Sequence, residues 1–583
     1  MASIQRTPAS GQTLNRLIQR GRSLLEALPR SLSAFLISFT ILSGLDFFSQ
    51  LVIEQDFYFV DYLQRIFADI DPLIDIGFAP EVWLAVIGLT LGTLIIVISI
   101  AAQSIPKITE LYMQDWISLI YVWFLVLSGT HILYVKIITE LGWPSLGSTL
   151  LNLYIFLPFA IITALPYIFY ILKSTQPENV VSQIYHRQQL IIHALAESGN
   201  ESLFKRSSYV QRWQKKLLDS LNQLDDLLTY VDFKEPQADI IQAISLLLQN
   251  YIFHKKNIPT PFFQLTPAVC SDISFKTLFD QFEQIETQQT FYEQKCLRLL
   301  GNAYIRFLDG DEFDLASLCG AEMCSITDAT LVSKNYYLLN LIIIRLNTML
   351  RFAIKHGIKH NEARNLYNLA FHYRRFIECL IQNQQMDTAQ QSFHYLRLYG
   401  NEIYHLARTS PALYFIVDVF AAEMKKILIL VHQKNWSEQS QRELLEEMLL
   451  LDNPPEAHRR DRHRDHSRDQ RDQAPNFNNG VRLIQMGLGL FYLKHRYPDF
   501  AQRIANDILE DADVLGLELF RRTVSYNCDR LRQAQPKFWE DTDRGNVNLY
   551  YSPDIEMLGD FEAMLFNEDA LKYLVNKLDH PHS

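Results

Sequence analysis

VWLAVIGLTLGTLIIVISIAAQSIPK, residues 82–107, decides the fold, because no charged side chain interrupts it before Lys107. A helix needs about 20 mostly apolar residues to cross the hydrocarbon core of a bilayer. Residues 82–102 meet that requirement, and 31–53, 116–138 and 146–172 read the same way. The first of these is expected to be a permanent span rather than a cleaved signal. It follows some thirty polar, Arg-rich residues, exceeds a signal core in length, and lacks a small-x-small site after it. Everything after residue 172 reads as water-soluble.

The expected fold is therefore all-α. A basic tail (1–30) leads into a four-helix transmembrane domain (31–172). A large helical domain (173–451), a charged linker (452–480) and a carboxy-terminal helical segment (481–583) follow. The mean hydropathy of -0.03 averages an apolar first third against a polar remainder, so it describes neither. A net charge of -11 argues against nucleic acid as a partner, since phosphate binding needs a basic face.

Charge between the spans sets the expected orientation. The tail carries Arg6, Arg16, Arg20, Arg22 and Arg30 against Glu26. The first connection holds only Arg65 among Glu54, Asp56, Asp61, Asp69, Asp71, Asp75 and Glu81. Lys107 lies in the second connection and Lys173 follows the fourth span. By the positive-inside rule both termini and the large domain are expected to be cytoplasmic. Within the acidic connection, Phe57, Phe59, Val60, Leu63, Ile66 and Phe67 fall near helical spacing. A helix lying on the outer surface and one packed on the bundle both fit.

Asp46 and His131 are the polar residues that cost most inside hydrocarbon. A proton or ion path fits them, and so does solvation near the outer interface. Gly88 and Gly92 form a G-x-x-x-G pair that permits close helix packing. Pro158 and Pro166 are expected to kink the fourth span.

Two stretches carry a family resemblance. The first is Gln103-Ser104-Ile105-Pro106-Lys107, followed by Tyr112 and Asp115. The second is Tyr167-Ile168-Phe169-Tyr170, followed by Ser174-Thr175-Gln176. Over about residues 31–195 the chain resembles an uncharacterised family of predicted bacterial integral membrane proteins, a domain of unknown function. The resemblance implies residence in a bacterial inner membrane and brings no activity and no catalytic residues. In physical terms Pro106 ends a helix, Lys107 suits a cytoplasmic interface, and Asp115 marks re-entry of the third span.

Beyond residue 176 apolar residues recur at three- and four-residue steps, as in Leu217, Leu218, Leu221, Leu224, Leu227 and Leu228. Residues 176–195 are expected to form a connecting helix, with Val180, Val181, Ile184, Leu190 and Ile191 available for packing. Three places share a signature: Leu300-Gly301-x-x-Tyr304, Leu369-Ala370-x-x-Tyr373 and Leu488-Gly489-x-x-Tyr492. It resembles the first helix of a tetratricopeptide repeat, and Ala501 supplies the small residue such a repeat wants twelve positions after Gly489. No strict period appears, so degenerate helical hairpins and an ordinary bundle both remain open. The linker mixes Arg, His and Asp (His458, His463 and His466 among them) without an apolar anchor and reads as disordered. A helix is expected around 557–578.

The six cysteines, Cys270, Cys296, Cys319, Cys324, Cys379 and Cys528, lack zinc-ligand spacing and read as reduced, mostly buried thiols. No phosphate loop, dinucleotide turn, zinc helix or nucleophile elbow is found. The expectation is a protein that is not an enzyme and uses no cofactor and no metal. It would be a membrane-anchored scaffold whose cytoplasmic helices recruit a protein partner, with the lipid bilayer as its other partner. The alternative is a homo-oligomeric channel or transporter gated by that domain.

Overall fold

A computed structural model describes residues 38–44, 78–104, 115–142, 148–149, 151–197, 204–406, 413–451, 478–542 and 545–566. The described chain is all-α apart from one small hairpin. It divides into two compact units, Met1–Val180 and Val181–Ser583.

The first unit contains α1 (Ala79–Ser104), α2 (Trp116–Glu140) and α3 (Leu157–Ser174). A π-helical turn, Leu151–Phe156, runs directly into α3. All three helices are long and apolar enough to cross a membrane and coincide with the second to fourth expected spans. Of the first span only residues 38–44 are described, and they are helical. Asp46 and the segment 57–67 lie outside the described residues. Trp83, Tyr121, Leu125, Ile132, Leu157 and Ala160 form the core of this unit. Leu84, Leu89, Ile95 and Ile162 point outward, each more than 60% exposed, which suits a lipid surrounding.

Two more helices, Phe313–Val332 and Tyr337–His360, also pass the length and apolarity requirement, contrary to the expectation that all later sequence is plainly water-soluble. Packing separates them from the other three. Half or more of each (61% and 50%) is buried inside the second unit, against 11%, 39% and 22% for the helices of the first. Many of their apolar side chains pack within the second unit, although Val332 and Ile344 face outward.

A different glycine sets the approach of α1 and α2. A side chain at Gly88 or Gly92 would meet nothing within 4 Å among the described residues. At Gly129 a Cβ would lie 2.5 Å from Ile87 Cδ1, so this glycine is the one that lets α1 and α2 approach. Pro158 stands in the first turn of α3, immediately after the π-helical turn, and Pro166 lies inside the helix without ending it.

The boundary between the units falls inside α4 (Pro177–Glu197), the expected connecting helix. Val180, Val181, Ile184 and Ile191 are buried as expected, whereas Leu190 is 70% exposed. The second unit then runs α5 (Ser207–Tyr230), α6 (Lys234–His254), α7 (Phe291–Asp309), α8 (Phe313–Val332), α9 (Tyr337–His360) and α10 (Arg364–Gln382). It continues with α11 (Met386–Leu406), α12 (Tyr414–Gln433), α13 (Glu438–Leu449), α14 (Asn479–Lys494) and α15 (Pro498–Leu509).

These helices alternate between two rows. Helices α6, α8, α10, α12 and α14 each pack on the next in one row; α5, α7, α9, α11, α13 and α15 do so in the other. The same turn recurs between rows. Asp311, Lys334, Asn361, Gln384, Asn435 and Arg496, each in a helix-to-helix connection, all take a left-handed backbone with φ between 50° and 65°. Such a residue closes a helix by satisfying its last carbonyls, although a Cβ makes the conformation costly.

Helix α16 (Leu517–Gln533) packs on α14, and α17 (Leu558–Leu565) packs on both α14 and α15. Between them lies an antiparallel hairpin, β1 (Lys537–Thr542) with β2 (Gly545–Val547), which the sequence reading missed. The linker 452–477 and residues 567–583 lie outside the described residues. Asn478 caps α14 by accepting from Gly480 N and Val481 N, so that helix begins slightly earlier than expected. The helix expected at 557–578 is described as α17 alone.

Candidate functional site

The first unit holds a polar cluster at its centre. Trp83 on α1 donates its indole N–H to Asn152 Oδ1 at 2.6 Å. Asn152, in the π-helical turn, donates from Nδ2 to the Ser128 carbonyl at 3.0 Å and lies 3.1 Å from His131 Nδ1 on α2. Asn152 and His131 are fully buried. An indole can only donate, so the Asn152 oxygen faces Trp83 and its amide nitrogen faces His131. His131 Nδ1 therefore accepts, which assigns the Nε2–H tautomer. His131 is thus buried and held by protein groups. Asp46 lies outside the described residues, while Asn152 and Trp83 are not singled out by the sequence.

Because each amide group of Asn152 is already bonded, the cluster acts as a clamp between helices. Hydrogen bonds between helices in a bilayer contribute about 0.6–2 kcal/mol each. Asn152→Leu is accordingly expected to cost roughly 1–3 kcal/mol by the same measure. A thermal unfolding midpoint in detergent equal to that of the unaltered protein would show that the clamp contributes nothing.

The two stretches that carry the family resemblance meet in space. Asp115 caps α2 by accepting from Ile117 N at 3.3 Å and Ser118 N at 3.2 Å. Tyr170, near the end of α3, donates its hydroxyl to the same carboxylate at 3.2 Å. A fixed negative group at a helix start is favourable because the unpaired amide hydrogens there are partly positive. Gln103 closes α1 at backbone level, and Pro106 and Lys107 lie outside the described residues.

In the second unit the signature residues are buried but not equivalent. Gly301 and Tyr304 lie on α7, in one row; Ala370 and Tyr373 on α10 and Gly489 and Tyr492 on α14 lie in the other. Tyr304 accepts from Asn365 Nδ2 on α10, and Tyr373 donates to Asn347 Oδ1 on α9 at 2.8 Å. Tyr304 thus ties successive hairpins together, and Tyr373 fastens the two helices of one hairpin. The Tyr492 hydroxyl is buried with no hydrogen-bond partner among the described residues. A Cβ at Gly489 would lie 2.4 Å from Phe561 of α17, so its small size serves the terminal helix. Ala501 on α15 is fully buried.

The rows are fastened by buried charges the sequence did not flag. Arg482 of α14 forks to Asp507 Oδ2 and Asp511 Oδ1, both at 2.7 Å, and also donates to Gln485. Lys295 of α7 donates to Asp272 Oδ1 at 2.7 Å and to Asn222 Oδ1 at 2.6 Å. Arg374 and Lys426 both reach the Glu423 carboxylate. Asp418 of α12 lies against the start of α14, its Oδ2 only 2.0 Å from where a Cβ at Gly480 would be. Tyr550 donates to that oxygen at 2.7 Å. Burial pushes the Asp418 carboxyl up to about 6, although Tyr550, Asn478 and Arg530 pull the other way. Burial likewise brings the Lys425 ammonium down to about 8, with Asp554 opposing. Five cysteines are buried and none is paired, and burial raises the Cys324 thiol to about 12, which keeps it protonated.

No group of three or more His, Cys, Asp or Glu side chains among the described residues has an arrangement suited to a metal. Comparison with family models, with curated proteins and with solved structures finds no match.

Proposed function

We propose that the protein is a multi-pass membrane scaffold whose helical unit recruits a protein partner, with no catalytic step of its own. The alternating two-row array carries this reading. Stacked helical hairpins bury their apolar faces on one another and leave long continuous surfaces, the form such folds use for protein recognition. The clamp at Asn152 supports it from the membrane side, because His131 is engaged in packing the helices. The positive-inside argument supports cytoplasmic termini and a cytoplasmic array, and the family resemblance supports a bacterial inner membrane.

The test pairs recruitment with transport. A fragment beginning at Pro177 is expected to stay monodisperse without detergent and to capture the same partner as the full chain. Liposomes containing the full chain are expected to leak ions no faster than protein-free ones. Flux that disappears in His131→Phe would overturn the scaffold in favour of an oligomeric channel. Labelling of the carboxy terminus from outside the cell would reverse the orientation.

A further inference from the structure

We infer that the cleft where the β1–β2 hairpin meets α10 and α12 binds an extended peptide segment of a partner protein, one that presents a bulky apolar side chain beside a carboxylate. This rests on the scaffold reading and names the chemistry of its docking site. The cleft has two chambers that share Phe538. The first, of about 230 Å³, is walled by Tyr367, Phe415, Ile416, Val547 and Leu549. Phe415 and Val547 are 43% and 60% exposed, and the Tyr367 and Phe415 rings stack with centroids 6.4 Å apart. Here an apolar side chain would find aromatic and aliphatic partners that already face solvent.

The second chamber, of about 190 Å³, is lined by Arg530, Gln533, Asn548 and Tyr550. The Arg530 guanidinium lies over the rings of Tyr526 at 5.9 Å and Tyr550 at 5.3 Å. Among the described residues it makes no hydrogen bond and no ion pair. The nearby acid, Asp418, is buried and bonded to the Tyr550 hydroxyl. Two rings thus hold an arginine whose donor fork is unspent, next to an apolar wall. That fork matches a carboxylate in two parallel hydrogen bonds, and the stacked rings reduce the entropy lost on forming them. Charge complementarity therefore selects an acidic ligand.

An extended peptide fits better than a lipid carrying an anionic headgroup. Among the described residues the hairpin strands pair only with each other, so outer strand edges offer main-chain donors and acceptors that a lipid cannot use. The apolar chamber is also short, suited to one large side chain and not to an acyl chain.

The experiment selects a random dodecapeptide phage library against the full chain in nanodiscs and measures the enriched peptides by fluorescence anisotropy. Enriched sequences are expected to set Asp or Glu beside Phe, Leu, Ile or Trp. Arg530→Gln should weaken them by about tenfold, the value of one charge-assisted hydrogen bond. Arg530→Lys, which keeps the charge without the fork, should fall between. Phe415→Ser should weaken them as well; helicity and elution volume, read in parallel, confirm its fold. No enrichment, neutral or basic consensus sequences, or equal affinity for Arg530→Gln would each overturn the site. So would competition by anionic vesicles in place of peptide. If Arg530→Gln binds peptide normally while the fragment from Pro177 still captures its partner, the site is wrong and the scaffold stands. If that capture fails in the unaltered protein, the scaffold reading falls and this one with it.

Discussion

Arg482→Leu is expected to destabilise the carboxy-terminal part of the array by about 3–5 kcal/mol, the usual cost of removing one partner from a buried ion pair. The reason is what remains behind. Asp507 and Asp511 lie in the interior with 10% and 12% of their side chains exposed, and the Arg482 guanidinium is their shared counter-charge, with Arg503 a more distant second for Asp507 at 3.8 Å. Even with Arg482 present, burial pushes the Asp511 carboxyl up to about 6. Urea unfolding of the full chain in detergent, followed by proteolysis within α14 and α15, reads the effect. Adding Asp507→Asn and Asp511→Asn should restore much of the loss, because the orphaned charges are then gone. A loss below about 1 kcal/mol for the single variant would place the pair in the class of weakly contributing surface bridges.

The second large effect is a fall in stability between about pH 4 and pH 6. An unfolded Asp titrates near about 4, whereas Asp418 in the folded chain is raised to about 6, chiefly by burial. The folded state holds this proton more tightly. Its stabilising contribution is therefore complete below about pH 4 and is lost as the pH rises through about 6. Two units correspond to about 3 kcal/mol at most. Asp511, raised by burial against the pull of Arg482, acts in the same direction. Hydrogen exchange of α12 and α14, corrected for intrinsic rates, should be slower at pH 5 than at pH 7.5. Asp418→Asn should flatten the slope. An unchanged slope in that variant would remove Asp418 as its source.

The helices of the first unit were legible because an uninterrupted apolar run is a local property, visible without knowing what it touches. Asn152 is harder to read than Asp46 or His131 because an uncharged amide does little to interrupt an apolar run. A buried amide also needs partners, and an Asn in a membrane-length stretch carries that signal. The two-row array was only half legible. Its helices vary from 12 residues in α13 to 24 in α9, so no fixed period survives. Its repeating turn is written with Asp311, Lys334, Asn361, Gln384, Asn435 and Arg496 in place of glycine, the residue that marks such positions. The Gly301, Ala370 and Gly489 signatures looked alike because each helix needs a small buried residue somewhere, yet they serve different rows and neighbours. The β1–β2 hairpin is too short to show an alternating pattern, and Arg530 becomes notable only when Tyr526 and Tyr550 bracket it.

The alternation of helices between rows also governs how the array resists opening. Packing along each row is between successive members, so stability in such a stack accumulates from neighbour to neighbour. A helix at either end of a row is held by fewer neighbours than one in the middle.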